Sequence, residues 1–259
     1  LVKEYKEGRK PLRLNRESHL SDDEESENRL WQQRRALQYL NELPVVQYMF
    51  PEVEADDVIA YVAQAHQFED WEKVIVSSDK DFLQLCDEKT VLFRPIQKEA
   101  LNSQNVVEKY GIHPRNFAAA RAIAGDKSDN LKGIGGAGLP TIKKRVPFLA
   151  ENKDFSLEDI YEYCQTFRPD DKRRPKFYDA VIANKSIVSL NYRVMQLYSP
   201  SLSLQCKEKI NYALENFEYV LNKTQFIRMM NQDGFGVYNW QDLFACMNRI
   251  SVDKALQNS

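Results

Sequence analysis

Short apolar runs alternate with amphipathic segments over roughly the first hundred residues of the chain. Leu30, Leu37 and Leu40 recur at the spacing that places side chains on one face of a helix. The run 73–77 has a continuous β-branched centre, which is typical of a buried parallel strand. The predicted elements are helices over 27–43 and 54–65, strands over 45–48, 73–77 and 91–93, and a short helix that contains Phe82, Leu83 and Leu85. This alternation predicts an α/β fold with a parallel sheet, in which sites collect at the carboxyl ends of the strands.

The pattern changes in the rest of the chain, where short helical segments follow one another without a strong strand signal. The predicted helices cover 105–110, 114–124, 139–148, 156–166, 174–189, 207–220 and 222–232. A glycine-rich segment, 133–138, joins two of them. We therefore divide the chain into a basic segment at 1–28, an α/β core at 29–110 and a helical half at 111–259.

Charge is unevenly distributed along the chain, although the formal net charge is only −2. The segment 1–28 is charged, poor in apolar residues and interrupted by Pro11, so we expect it to be mobile and to end in a solvated acidic turn at 22–25. Basic residues crowd three places, which indicates an anionic partner. They are Lys3, Lys6, Arg9, Lys10, Arg13 and Arg16; Arg121, Lys127, Lys132, Lys143, Lys144 and Arg145; and Arg168, Lys172, Arg173, Arg174 and Lys176.

Composition excludes several other classes of protein. No apolar run approaches the length that crosses a bilayer, and no signal peptide is visible. The four cysteines are far apart and are expected to be reduced thiols in a cytosolic protein, and the three histidines show no zinc-binding spacing.

Carboxylates form three tight clusters, each at a predicted element boundary. In a helix, Glu54 and Asp57 would share one face, whereas Asp56 would point elsewhere. Asp79 and Asp81 would project to the same side of an extended chain. Taken singly, each cluster has an ordinary structural interpretation as a helix N-terminus, an Asx turn or an N-cap followed by a turn. The seven residues are Glu54, Asp56, Asp57, Asp79, Asp81, Asp126 and Asp129.

Together, the three clusters indicate a metal site more strongly than any one of them does. Carboxylates repel one another, so gathering them requires compensating cations. Mg²⁺ prefers oxygen ligands and suits a site that also handles phosphate. A pair of ions about 4 Å apart can activate a water molecule and stabilise a leaving oxygen. We therefore predict a site for two Mg²⁺ ions, for which Mn²⁺ can substitute.

A glycine hairpin lies between two of the predicted helices. Glycines let the backbone approach a ligand closely, and backbone N–H groups at a helix start can hold phosphate. A flexible inter-helix loop is the alternative, whereas a Rossmann fingerprint is disfavoured because no strand precedes the hairpin. The glycines are Gly133, Gly135, Gly136 and Gly138, and the basic residues of the next helix are Lys143, Lys144 and Arg145. The basic setting predicts contact with a nucleic-acid backbone.

Four motifs in this order resemble the 5′ nuclease, or flap endonuclease, family. They are E-A-D-D-V-I at 54–59, S-D-K-D-F-L-Q-L at 78–85, G-D-K-S-D-N at 125–130 and G-I-G-G-A-G at 133–138. That family includes the 5′–3′ exonuclease domain of bacterial DNA polymerase I and the bacteriophage 5′ nucleases, some of them called RNase H. The resemblance covers roughly residues 1–150 and implies a PIN-like nuclease core followed by a helical half with an H3TH-like helix–hairpin–helix DNA-binding motif.

The resemblance implies a role for each matching residue. By this resemblance, the first metal ion would be held by Glu54, Asp57 and Asp79. The second would be held by Asp79, Asp81, Asp126 and Asp129, and Asp56 would be a nearby acid. In the Tyr-Lys-x-x-Arg segment, Lys6 and Arg9 would hold the scissile phosphate and the displaced strand. The hairpin would grip the duplex and carry a K⁺ ion on its backbone carbonyls.

The family pattern also includes a first strand that bears an Asp, and a second Asp after a later strand, both before the Tyr-Lys segment. This sequence contains neither and begins at Leu1 within the basic segment, so we expect it to be the remainder of a longer polypeptide or to be completed by another one.

The leading hypothesis is a structure-specific 5′ nuclease that removes flaps and primer RNA during DNA replication in a bacterial or phage-infected cell. Its partners would be branched or flapped DNA, RNA–DNA duplex, and replication proteins such as a sliding clamp or a single-strand binding protein. A non-catalytic structure-specific DNA-binding remnant is one alternative. A PIN-type ribonuclease is another, which the hairpin disfavours.

Overall fold

The computed structural model describes residues 5–6, 21–168, 175–235 and 238–257. Contacts divide the chain into two compact units, one formed by Leu1–Pro11 with Glu52–Leu202 and the other by Leu12–Pro51 with Ser203–Ser259. The boundaries expected after residues 28 and 110 do not coincide with these units, because the α/β core and most of the helical half share the first one.

The described helices and strands follow one another in a mixed α/β order. The helices are α1 (Asp22–Asn41), α2 (Ala55–Ala63), α3 (Ser103–Tyr110), α4 (Pro114–Ala124), α5 (Leu139–Arg145), α6 (Leu157–Thr166), α7 (Lys176–Ala183), α8 (Lys185–Met195), α9 (Leu204–Glu215), α10 (Lys223–Gln232) and α11 (Trp240–Gln257). Short 3-10 helices cover His66–Phe68, Asp81–Leu85 and Pro147–Ala150. The strands are β1 (Lys73–Val76), β2 (Thr90–Arg94) and β3 (Glu99–Leu101).

The sheet of the first unit has the order β1-β2-β3. β1 runs parallel to β2, with Val76 opposite Phe93, which confirms two of the predicted strands and their direction. The prediction that the first of them is buried is wrong for one face, since Ile75 is buried but Val74 and Val76 are 64% and 63% exposed. β3 was not predicted and runs antiparallel to β2, so the sheet is mixed. Strand β3 is only three residues long and follows a tight turn in which Lys98 adopts a φ of 52°. A strand this short shows no alternating pattern in the sequence.

Helix α4 forms the centre of the first unit, with a run of alanines and the buried side chains of Phe117 and Ile123. It packs against α8, α5 and the 3-10 helix Asp81–Leu85. The buried Asn191 of α8 donates its side-chain amide to the carbonyls of Ala122 and Lys132, at 2.9 Å each. These bonds fix the end of α4 and the start of the glycine hairpin to one neighbouring helix.

The region 174–189 contains two helices where one was predicted. Asn184 separates α7 from α8 with φ −119° and ψ 28°, and its side chain donates to the carbonyl of Ala180 at 2.8 Å. A side-chain amide that bonds to its own backbone competes with continued helix, so the break has a local cause.

The second unit corrects two predictions. The acidic run 22–25 is the first turn of α1 and not a solvated turn, because Ser21 and Glu24 form a capping box there. The segment 45–48 forms no strand. Two of its side chains bond to other parts of the unit instead: the hydroxyl of Tyr48 donates to the carbonyl of Ile210 at 3.0 Å, and the amide of Gln47 donates to Asn41 Oδ1 at 2.7 Å.

Aromatic and ionic contacts hold the second unit together. The ring of Phe226 on α10 meets the rings of Tyr39, Trp240 and Phe244 edge-on. Arg35 of α1 donates from Nε to Asp233 at 2.5 Å. Throughout the described ranges, no helix is both long enough and apolar enough to span a bilayer.

Candidate metal centre

One cavity of the first unit gathers acidic side chains at the carboxyl end of β1. Its carboxylates come from four separate places: the first turn of α2, the loop after β1, the start of the next 3-10 helix, and the loop after α4. The lining residues are Tyr5, Lys6, Asp56, Asp79, Asp81, Asp129, Val194, Met195 and Leu197. The position agrees with the expectation that sites collect where parallel strands end.

The loop after β1 is fixed by hydrogen bonds on both sides. The Asp79 side chain accepts from the N–H of Asp81 at 2.9 Å, which is an Asx turn, and the N–H of Asp79 donates to Ser77 Oγ at 3.1 Å. Behind the loop, the buried Arg94 donates to the carbonyl of Ser78 at 3.2 Å and pairs with Glu99 at 2.8 Å. Both aspartates line the cavity, but they reach it from a turn and not from the extended chain that the spacing predicted, because Lys80 between them is helical and Asp81 begins a 3-10 helix.

The cluster before α2 is arranged differently from the prediction. Glu54 is the extended N-cap of α2, with φ −77° and ψ 145°, so it does not share a helical face with Asp57. Asp57 accepts from the backbone N–H of Ser201 at 3.0 Å, and Asp56 is the member that lines the cavity. Burial, followed by repulsion from Glu54, raises the pKa of Asp56.

The cluster after α4 is likewise divided between two environments. The loop is closed by backbone bonds between Asp126 and Leu131, at 2.8 and 2.7 Å, and Asn130 adopts a positive φ of 58°. Asp129 is buried and lines the cavity. Asp126 accepts from the N–H of Ser128 at 2.8 Å and from its hydroxyl at 2.5 Å, and it is not among the lining residues.

Arg121, in the last turn of α4, links two of the predicted ligands. Its Nε donates to Asp81 Oδ1 at 2.7 Å, and its Nη2 donates to Asp126 Oδ2. Burial raises the pKa of Asp81 to about 6, although Arg121 lowers it. The sequence grouped Arg121 only with the basic residues around the hairpin. No spacing signal links it to the cluster, because α4 ends at Ala124 and Asp126 lies in the loop beyond it.

Tyr5 and Lys6 of the basic segment lie against this acidic site. Lys6 adopts a φ of 58°, and its N–H donates to the carbonyl of Asp129 at 3.3 Å. Its Nζ donates to Glu54 Oε2 at 2.7 Å, and the hydroxyl of Tyr5 donates to the same oxygen at 3.4 Å. Burial lowers the pKa of Lys6, but the hydrogen bonds and charges of Glu54 and Tyr5 together outweigh it, and the net shift is upward. Burial raises the pKa of Tyr5 to about 12. Arg9 lies outside the described residues.

The donor chemistry of the cavity fits a hard divalent cation, since four of its lining side chains are carboxylates. Within the described parts of the chain, no three acidic, histidine or cysteine side chains converge closely enough to hold a metal ion as they lie. Instead, Lys6 forms a salt bridge with Glu54, and Arg121 forms salt bridges with Asp81 and Asp126. Metal binding would therefore require local rearrangement of carboxylates.

The glycine hairpin joins α4 to α5, as predicted. Gly133 packs so closely that an added Cβ would lie 1.9 Å from the carbonyl oxygen of Ala124, whereas one at Gly135 or Gly136 would meet nothing within 4 Å. Gly136 has a φ of 74°, and Gly138 is the N-cap of α5. The basic residues 143–145 lie in the last turn of α5, not at its start.

Comparison with known proteins supports the resemblance seen in the sequence. Residues 1–111 match the family described as the 5′-3′ exonuclease, N-terminal resolvase-like domain. The resemblance is therefore confirmed over this part of the chain. The 5′-3′ exonuclease of Aquifex aeolicus is 31% identical over 159 residues, which are 61% of this chain and 50% of the relative. A thermostable DNA polymerase I of Thermus thermophilus is 26% identical over 193 residues, 74% of this chain and 22% of the polymerase.

Solved structures show the same fold. The flap endonuclease of bacteriophage T5, in a complex with DNA and metal ions, superposes with a TM-score of 0.60 at 16% identity, over 77% of this chain and 72% of the phage protein. These values confirm the predicted fold, an α/β core followed by a helical half. This chain spans half the length of the Aquifex exonuclease and a smaller share of the polymerase.

Proposed function

We propose that the protein is a metal-dependent, structure-specific 5′ nuclease that hydrolyses phosphodiester bonds in flapped DNA and in RNA–DNA duplex. The observation that carries the proposal is the cavity in which Asp56, Asp79, Asp81 and Asp129 face one space beside Lys6. The match of residues 1–111 to the 5′-3′ exonuclease family, and relatives named as such exonucleases, support the same reaction.

The carboxylates are the proposed ligands of two divalent ions, Mg²⁺ or Mn²⁺. When bound, such ions lower the pKa of a water molecule and stabilise the charge on a leaving oxygen. Asp79, Asp81 and Asp129 line the cavity and are the strongest candidates, with Asp56 beside them. Glu54, Asp57 and Asp126 remain predicted ligands, and each would have to exchange the partner it has now: Lys6, the N–H of Ser201 and Arg121, respectively.

Lys6 is the proposed phosphate-binding residue of the site. Its upward-shifted pKa keeps the ammonium protonated at neutral pH, and it already lies at the wall of the cavity. In the absence of substrate it is paired with Glu54. A phosphate that enters the cavity would offer the same ammonium a second anionic partner, where it can stabilise charge that develops during hydrolysis.

The hairpin 133–138 and the basic residues 143–145 are the proposed duplex grip. The open surroundings of Gly135 and Gly136 let a phosphate approach the backbone without meeting a Cβ. Lys143 and Lys144 are exposed one turn further along α5. Backbone contacts of this kind give affinity without reading sequence. A K⁺ ion on the hairpin carbonyls remains part of this proposal.

Cleavage of a 5′-flap duplex that carries a fluorophore on the flap tests the function. We expect release of the labelled flap when Mg²⁺ is present and none with EDTA, and we expect an equivalent 3′ flap to stay intact. The Asp79→Asn variant should lose this activity, while Asp70→Asn, a neutralisation of an exposed residue that pairs with Lys89, should not.

Two results would contradict the proposal. Equal cleavage of 5′ and 3′ flaps would contradict the proposed specificity for 5′ flaps. Tight binding of flapped DNA without any Mg²⁺-dependent cleavage would favour a non-catalytic DNA-binding protein instead.

A further inference from the structure

Helix α8 contacts the metal cavity and the start of the glycine hairpin. Near the end of the helix, Val194 and Met195 line the cavity. About one turn earlier, the side-chain amide of Asn191 donates to the carbonyl of Ala122, near the end of α4, and to that of Lys132, directly before the hairpin, at 2.9 Å each. One helix therefore contacts both parts of the proposed nuclease site.

The amide of Asn191 lies in the interior of the first unit. The residue is only 2% exposed, and α8 packs along α4. The carbonyl of Ala122 is one of the last four of α4, which an α-helix cannot bond internally. Leaving such a shielded carbonyl without a donor is costly, so the side chain of Asn191 is held firmly in this position.

The end of α8 is fixed to the acidic part of the cavity by Gln84. The side-chain amide of Gln84 donates to the carbonyl of Met195 at 3.0 Å, and its oxygen accepts from the N–H of Leu197 at 2.6 Å. Gln84 belongs to the 3-10 helix Asp81–Leu85, whose first residue lines the cavity. Helix α8 is thus bonded at its end to the element that carries a proposed metal ligand, and through Asn191 to the hairpin.

The hairpin also has attachments to α4 that do not involve Asn191. The N–H of Ile134 donates to the carbonyl of Ile123 at 2.9 Å, and Gly133 packs against the backbone of Ala124. The acidic loop after α4 is closed by its own backbone bonds. Asn191 therefore adds a connection from these two segments to α8, the helix that lines the cavity.

We propose that Asn191 is a positioning residue that fixes the distance between the metal cavity and the hairpin, and through this distance selects the phosphodiester bond that is cut. The inference rests on the proposed function, because it needs both the metal ions and the duplex grip. Neighbouring phosphates of one strand are about 3.4 Å apart along the duplex axis, so a displacement of that order would move the cut by one nucleotide.

The test maps the cut at single-nucleotide resolution. The full chain cleaves a 5′-flap duplex, labelled on the flap, in Mg²⁺ under single-turnover conditions, and we expect the wild type to cut mainly at one bond. Asn191→Ala removes both hydrogen bonds and should spread the cuts to neighbouring bonds. It should also slow cleavage at the main bond by about tenfold or more, since a misplacement of about 1 Å can cost about a hundredfold.

Two binding measurements separate positioning from damage to either part of the site. Mn²⁺ affinity, from isothermal titration, and duplex affinity, from fluorescence anisotropy, should both stay close to the wild-type values in Asn191→Ala. The physical reason is that the acidic loop and the hairpin keep their own backbone bonds. A loss of Mn²⁺ or duplex affinity as large as the loss in rate would overturn the positioning role.

Asn116→Ala is the matched control. Asn116 is a buried side-chain amide in the first turn of α4, at the opposite end of that helix from the hairpin. It donates to the carbonyls of Leu149 and Lys153 at 3.1 and 3.0 Å. We expect this variant to lose stability and to keep the wild-type pattern of cuts. The same spread of cuts in both variants would show that any loosening of the unit has this effect, and would overturn the proposal.

The pattern of cuts decides the remaining outcomes. A wild-type pattern in Asn191→Ala, at whatever rate, would overturn the proposal, because a purely structural residue changes stability and rate but not the position of the cut. If Asn191→Ala does not fold, the same pattern is measured in Asn191→Ser, whose hydroxyl can donate to only one of the two carbonyls. Wild-type protein without Mg²⁺-dependent cleavage would contradict the proposed function itself, whereas a defined wild-type cut with an unchanged pattern in the variants would contradict only the role of Asn191.

Discussion

At the scale of single residues, the acidic site is balanced by cations that belong to the chain itself. Lys6 pairs with Glu54, and Arg121 pairs with Asp81 and Asp126. Asp79 is different, because its side chain accepts only from the N–H of Asp81 among the bonds described, and it lines the cavity. It is therefore the carboxylate that can serve an incoming cation with the least rearrangement.

The first prediction follows from this position of Asp79. Asp79→Asn should lower flap cleavage by about two orders of magnitude or more, since a small displacement of reacting groups is enough for such a loss. The Asx turn survives because the asparagine oxygen can still accept from Asp81. The measurement is single-turnover cleavage at saturating protein, with the circular dichroism spectrum as a check of the fold. Near-normal turnover of this variant would exclude Asp79 as a ligand.

A second residue-scale prediction separates two glycines of the hairpin. Gly133→Ala should destabilise the protein by about 1–3 kcal/mol, the usual cost of forcing atoms into a packed site, because the new Cβ would lie 1.9 Å from the Ala124 carbonyl oxygen and 2.6 Å from the Gly125 nitrogen. Both neighbours are backbone atoms, so they cannot rotate away. Urea unfolding monitored by fluorescence gives the change in the free energy of unfolding.

Gly135→Ala is the matched control for that prediction. A Cβ at Gly135 would meet no atom within 4 Å, so its unfolding midpoint should stay close to that of the wild type. If the hairpin holds phosphate, the same variant should weaken duplex binding, since the methyl group stands where the ligand approaches. Equal destabilisation by the two substitutions would show that the close contact of Gly133 with the backbone of Ala124 and Gly125 is not the reason for the effect.

At the scale of elements, helix α5 carries the proposed duplex contact in its last turn. Lys143→Gln combined with Lys144→Gln should weaken binding to all duplex sequences alike, because contacts to phosphate carry no base information. The slope of log K against log salt should become shallower by about 0.9 for each phosphate that the variant no longer neutralises. Glutamine is preferable to alanine here, since the stem of Lys143 packs against Gly111.

Fluorescence anisotropy with two duplexes of unrelated sequence, over a range of salt, measures both quantities. Lys153→Gln, an exposed lysine outside α5 that lies over the ring of Phe155, serves as the control. A loss of affinity for only one of the two duplexes would argue against a backbone grip.

Helices α1 and α10 are joined by an ion pair that predicts a pH dependence. Asp233 follows α10 and accepts from Arg35 and Tyr39 of α1, and the bond from Arg35 lowers its pKa in the folded state. A carboxyl whose folded pKa is depressed stabilises the fold above its unfolded pKa, and this stabilisation is lost as the pH falls through the folded pKa. The contribution should therefore be complete at neutral pH and disappear in acid.

Asp233→Asn tests this contribution through urea unfolding at a series of pH values. The variant should be less stable than the wild type at pH values of about 6 to 7, and the difference should shrink below the ordinary carboxyl range near pH 4. Glu69→Gln, in an exposed pair with His66, controls for removal of a surface charge. A difference that stays constant across the whole pH range would show that Asp233 acts by shape and not by charge.

The elements that the sequence could predict are those with a strong local signal. The run around Ile75 and the helix Pro114–Ala124 were predicted with nearly correct bounds, because continuous apolar residues and a proline at the first helical position act locally. The strand expected at 45–48 failed for the opposite reason: its β-branched residues find no partner strand among the described residues, and strand formation depends on such a partner.

The candidate site shows the same division between local and tertiary information. Spacing placed Asp79 and Asp81 on one side of an extended chain; both do line the cavity, but they do so from a short turn. It could not indicate that Glu54 is an N-cap outside the helix, that Asp56 turns toward the cavity, or that Arg121 reaches back to Asp81, which is 40 residues away along the chain. Those facts depend on how α2, α4 and the loops pack, which one sequence does not specify.

At the scale of the whole molecule, a near-neutral net charge conceals an excess of acid at one site and of base elsewhere. Crowded carboxylates oppose folding unless cations neutralise them, and burial already raises the pKa of both Asp56 and Asp81. Lys6 and Arg121 offset only part of this charge, because Asp79 and Asp129 also face the cavity. A divalent ion that binds there should therefore stabilise the folded protein measurably.

The last prediction quantifies that stabilisation by Mg²⁺. A ligand that binds only the folded state adds about 2.7 kcal/mol at a concentration one hundred times its dissociation constant. For a protein of this size the melting temperature should rise on the order of 5–10 °C. The measurement is thermal unfolding with MgCl₂ against NaCl at equal ionic strength, which separates binding from screening. Asp79→Asn should abolish most of the rise, and Asp70→Asn should keep it; a rise of the same size in both variants would place the bound ion away from the cavity.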